Sequence, residues 1–190
     1  SAYLIGFLKP RWPIAYNKHL YHNETADPIE RVSLVVDIVR KQYFQKVLVT
    51  VGIWEEMAIE MSSAFIYIYE EKYTIALINL FRKTKRLFNE SKVLTATLTD
   101  TGFVNRFGIL SKVKNMSRSL LLHTMNACLL KAACIANVQA IDMRAVAKKY
   151  RFVDGIHFEK DFYRHRLQAI MSSEMTDPCA LCRTKYDFHD

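Results

Sequence analysis

Lys46-Val47-Leu48-Val49-Thr50-Val51-Gly52 decides the fold. Five of its seven residues are β-branched or Leu, they do not alternate with polar ones, and a glycine closes the run, which is the pattern of a strand buried on both faces. Such strands belong to parallel sheets covered by helices, so the flanking sequence should supply helices on either side. It does. Upstream, Asp27-Pro28-Ile29-Glu30 offers an N-cap, a proline in the first helical position and an acid soon after, with Ile29, Val32, Val35, Val36 and Val39 at helical spacing. Before it, Pro13 to Tyr21 reads as a strand running into the polar loop His22-Asn-Glu-Thr25.

Downstream, Ser63 to Asn89 reads as one long helix or two in sequence, with Phe65, Ile68, Ile75, Ile78 and Phe81 able to face one core. Lys92 to Leu98 is a strand closed by Thr99-Asp-Thr-Gly102. Ser117 to Ala136 is a second long helix through Leu120, Leu121, Cys128, Leu129 and Ala132. Val138 to Asp142 is a short strand, Met143 to Lys149 a helical turn, and Phe158 to Met171 a closing helix with Phe162, Leu167 and Ile170 inward. Strand and helix alternate throughout. The expected fold is α/β, a three-layer doubly wound parallel sheet of the flavodoxin-like kind.

The chain has 190 residues with 27 Lys and Arg against 19 Asp and Glu, a formal charge of +8. That length suits one domain, residues 1–190, with residues 173–190 expected as a loose cysteine-containing tail. No apolar stretch approaches the ~18 residues of a membrane helix. The positive surface should attract anions, but the basic run Arg82-Lys83 and Lys85-Arg86 sits where a helix ends and complements its dipole. No base-stacking aromatic pattern accompanies it, so nucleic acid is not expected as a partner. The five glycines form no phosphate-cradling cluster. No cofactor is implied.

Cys128 and Cys134 lie on different faces of a helix, roughly 9 Å apart along its axis, and read as inert buried thiols. Cys179-x-x-Cys182 is at best half a zinc site, so a disulfide or thiols in the terminal tail is favoured and no metal is expected. His19, His22, His165 and His189 lack mutual metal spacing, and His123 within its apolar helix reads as a core or rim residue. Asn23-Glu-Thr25, Asn89-Glu-Ser91 and Asn115-Met-Ser117 are N-glycosylation sequons. They point to the secretory pathway, Golgi lumen or extracellular space. The chain opens on Ser1 rather than Met, as a processed or excerpted chain does.

In a parallel sheet, chemistry gathers where strands end at their carboxyl edge. Two peptides should arrive there. One is Thr50-Val-Gly52-Ile-Trp54-Glu55; the other is Val153-Asp154-Gly155-Ile156-His157-Phe158. In Asp154-x-x-His157 the carboxylate can orient the imidazole and leave its other nitrogen as a general base. For a bare pair of this spacing, an N-cap Asp and a solvent-facing His is the plainer reading. Glu55 and Glu56 are explained as acids at a helix start.

In context, these residues resemble the SGNH hydrolase superfamily, and within it the PC-esterase branch that includes the C-terminal domain of neurexophilin and PC-esterase (NXPE) proteins. The Gly52 turn after the central strand, Asp154-x-x-His157 before the final helix, and Ile14-Ala-Tyr-Asn-Lys-His19 carry the resemblance, from about Pro13 to Cys182. It implies an esterase or O-acetyltransferase acting on an acyl-bearing or glycan substrate. His157 would be the base, Asp154 its partner and the Gly52 N–H an oxyanion donor. The family's Gly-Asp-Ser nucleophile block is absent, with its N-terminal strand expected to be missing from the chain, and Trp54 stands where many members have Asn. The chain alone is therefore expected to be inactive, and the alternative is a catalytically inactive binding or structural domain on the same scaffold.

Overall fold

The computed structural model describes residues 2–7, 44–50, 66–99, 115–153, 158–172 and 175–186. Four strands form one parallel sheet in the order β1 (Ala2–Phe7), β2 (Phe44–Thr50), β3 (Lys92–Ala96) and β4 (Gln139–Ile141). Register pairs Phe7 with Thr50, Leu48 with Leu94, and Ala96 with Ile141. The β-branched run thus lies between two neighbours, and Val47, Leu48 and Val49 are all buried. β1 is new: the sequence reading assigned no element to residues 2–7. The strand expected over 13–21 and the helix after Asp27 lie outside the described residues.

Helix α1 (Ile66–Leu87) links β2 to β3, and α2 (Asn115–Ala136) links β3 to β4. Both crossovers step in the same direction along the sheet, so a common right hand puts both helices on one face. There Tyr73, Leu77, Phe81, Met125, Leu129 and Ala132 close a core over Val47, Val49 and Val93. Leu48, Leu94, Ala96 and Ile141 point the other way. They pack in a second core with α3 (Met143–Ala147) and α4 (Lys160–Ser172) through Met143, Phe158, Phe162 and Ile170. Helices on both faces give the three layers expected of the α/β fold.

Two lysines close helix ends. Lys85 Nζ donates to the carbonyls of Ala136 and Asn137, at 3.2 and 3.0 Å, where α2 ends. Lys46 Nζ donates to Ile170 and Met171 near the end of α4, at 2.7 and 3.1 Å. Carbonyls left over at a helix terminus need such donors. Asn137 adopts φ 52°, the left-handed turn that Asn tolerates just past a helix, and Val138 N–H reaches back to Ala133 at 2.8 Å.

Three expectations need correction. The tail is not loose: Pro178–Lys185 forms α5 against α2, with Leu181 buried beside Ala127 and Leu130. Cys134 is not an inert thiol, since it is disulfide-bonded to Cys179 and staples α5 to α2. Cys179 therefore does not pair with Cys182. Finally, Ile75 and Leu167 are exposed rather than inward. Apolar residues outnumber the core-facing positions on α1 and α4, so the wider apolar arc cannot all be covered.

Candidate functional site

All four strands run parallel, so Phe7, Thr50, Ala96 and Ile141 end at one edge of the sheet. Gly52, Asp154, His157, Trp54 and Asn23 lie outside the described residues; their anchor points do not. Thr50 ends β2 two residues before Gly52, and its Oγ1 is buried without a hydrogen-bond partner. The 153–157 segment is closed at its stem. Phe152 and Phe158 form an antiparallel bridge, and Glu159 N–H donates to Arg151 O at 3.0 Å. The Phe158 ring lies 4.3 Å from Phe152 and 4.1 Å from Phe162, while its N–H donates to the Tyr163 hydroxyl at 3.3 Å. This buried aromatic stack sets the entry into α4 immediately after His157.

Beyond Thr50, the described part of the carboxyl edge is polar and largely hydrogen-bonded. Asn126 on α2 is wholly buried, and its amide donates to Leu98 O at 3.1 Å while its Oδ1 accepts from Leu98 N–H at 2.7 Å. It holds the chain as it leaves β3, where an unpaired peptide group would be costly. Thr97 Oγ1 donates to Asp142 Oδ1 at 3.3 Å and accepts from Arg144 N–H at 3.0 Å. Asp142 caps α3 by accepting from Ala145 N–H, and its other oxygen takes Lys185 Nζ at 2.6 Å. That ion pair joins the end of α5 to the start of α3.

Charge in this cluster follows from burial and pairing. The hydrogen bond to Asp142 holds the Lys185 ammonium above the usual lysine range. Burial pushes the Tyr186 phenol up, against a hydrogen bond with Arg144 that lowers it. The His123 ring lies 5.0 Å from Tyr186, and burial, then the Arg144 charge, pulls its pKa down. The imidazole is therefore neutral at pH 7. The arrangement positions backbone and docks α5, with Lys185 paired to Asp142 and Arg144 hydrogen-bonded to Tyr186.

Sequence reasoning missed Asn126, Thr97, Asp142 and Lys185. Asn126 alone left a trace, as an amide inside the apolar stretch Leu120–Ala133. Among the described residues no group of three or more His, Cys, Asp and Glu could hold a metal ion. No helix among them is long and apolar enough to cross a membrane. Of the sequon residues, Asn89 is exposed in the turn after α1, and Asn115 is the first residue of α2.

No family model matches the chain, and no curated protein matches it. Solved structures do resemble it. One, at 14% identity and a TM-score of 0.51, covers 83% of this chain and 75% of its own. Another is a mutant of Axe2, an acetyl-xylooligosaccharide esterase from Geobacillus Stearmophilus, with 14% identity and a TM-score of 0.47. That match covers 75% of this chain, which spans 64% of the Axe2 chain. The first of these agrees with the doubly wound α/β fold.

Proposed function

We propose that the chain is a non-hydrolytic SGNH-type domain that binds an acyl-bearing or glycan ligand at the carboxyl edge of its sheet. The observation that carries this is β1. It lies beside β2 with Phe7 opposite Thr50, and the residues that follow it are Leu8-Lys9-Pro10-Arg11. In the superfamily that the sequence resembles, the strand that precedes the nucleophile is followed by Gly-Asp-Ser. Here Gly6 is followed by Phe7 and Leu8, neither of which can attack a carbonyl. An Asp154–His157 pair without a nucleophile retains its hydrogen-bonding capacity toward a ligand but cannot form an acyl-enzyme.

A domain of the PC-esterase branch would work in the secretory pathway, and the Cys134–Cys179 disulfide supports that compartment, since such cross-links persist where the environment is oxidising. Expression through that pathway should give a mass ladder that collapses on deglycosylation.

The test of function is hydrolysis of an aryl acetate. The chain should release no phenol above the buffer rate, and His157→Ala should change nothing. Hydrolysis that falls about 10²–10⁴-fold in His157→Ala, the usual contribution of a general base, would overturn the proposal and restore the acyl-transfer reading.

A further inference from the structure

Helix α4 carries more apolar surface than the sheet covers. Phe162 and Ile170, four residues to either side of Arg166, are buried in the second core. The next row round the helix is Tyr163, Leu167 and Met171, which are 38%, 46% and 58% exposed. A spacing of four places these three side chains on one ridge about 12 Å long. Cations border it on both sides: Arg166 on the inward row, Lys160 and Arg164 on the outward one.

Arg166 is the informative neighbour. Its side chain is half-buried, yet among the described residues its guanidinium makes no hydrogen bond or ion pair, whereas Arg164 is paired with Asp161 at 3.1 Å. Burial lowers its pKa, and the neighbouring Tyr163 offsets this only in part. Beside an exposed apolar ridge, a guanidinium in that state lacks a carboxylate that a partner can bring, and its planar fork suits a bidentate pair.

We infer that the α4 ridge Tyr163–Leu167–Met171 docks an acidic amphipathic helix of another protein, whose apolar row packs on the ridge and whose carboxylate pairs with Arg166. Two other occupants fit less well. A second copy of the chain would bring the same bordering cations and a further +8 of charge. A lipid surface would find an apolar face only three residues long, short of what interfacial helices use, and would leave a half-buried guanidinium out of reach of headgroups. The ridge also begins at Tyr163, whose hydroxyl accepts from Phe158 N–H, so an occupant would abut the Phe152–Phe158 bridge.

The probe is a labelled helix-forming peptide with Leu at every fourth position and Glu beside it, titrated by fluorescence anisotropy, with a second peptide carrying Lys in place of Glu. The Glu peptide should bind, and binding should weaken about five- to tenfold in Leu167→Gln and in Arg166→Met and decline with added salt. Arg166→Met removes the charge while filling the same space, so both variants should melt no lower than the parent. No binding of the Glu peptide, equal binding of the two peptides, or retention of affinity in both variants would overturn the inference. So would Leu167-dependent sedimentation with phosphatidylserine vesicles, or a dimer that Leu167→Gln dissolves.

Discussion

Asn126 shows how much one side chain contributes at the edge of this sheet. It satisfies both the N–H and the C=O of Leu98 from the buried side of α2. Asn126→Leu, similar in size, leaves both peptide groups buried and unpaired. The expected loss is about 2–4 kcal/mol, read as a lower urea midpoint. His123 sets a pH limit. Its folded pKa lies below its unfolded value, so the unfolded chain takes up the proton first. The associated stability is fully present above the unfolded pKa of about 6.5 and is lost as pH falls through the window beneath it. Melting temperatures should therefore drop on acidification through that window, and His123→Phe should flatten the drop. Neither role was legible from composition or spacing, because each depends on which backbone or ring lies opposite in space.

At the scale of elements, most of the fold was legible. The β-branched run became β2, and the helical periods became α1, α2 and α4, because burial on one or two faces leaves a period in the sequence. Helix α5 was missed although Asp177-Pro178 carries the same cap signature read at Asp27-Pro28. An eight-residue helix is marginal by itself, and what holds this one is Leu181 in the α2 seam and the bond to Cys134. A disulfide partner 45 residues away leaves no periodic trace. Replacing Cys134 and Cys179 together by Ala should cost up to about 4 kcal/mol, seen as a lower melting point that added reductant no longer shifts. Lys85→Met should cost about 1 kcal/mol through the uncapped end of α2, by the same thermal measurement. The proposed site was legible only as Gly52, Asp154 and His157, and the structure describes their anchors at Thr50, Phe152 and Phe158.

Over the whole molecule, a charge of +8 should make retention on a sulfated polymer such as heparin strong at low ionic strength and weak once salt shortens the screening length. Retention that ignores salt would assign the binding to something other than this field. The sheet has a kinetic consequence as well. Every described strand is parallel to its neighbour and roughly 40–50 residues from it, so among the described residues no strand pairing is a hairpin and each must close a long loop. Meanwhile Cys179 and Cys182 meet in the unfolded chain far sooner than Cys179 meets Cys134. Oxidation before the sheet has assembled therefore captures the wrong neighbour, and the native cross-link then depends on thiol exchange. A cell that makes this protein in quantity would need a disulfide isomerase as well as an oxidant.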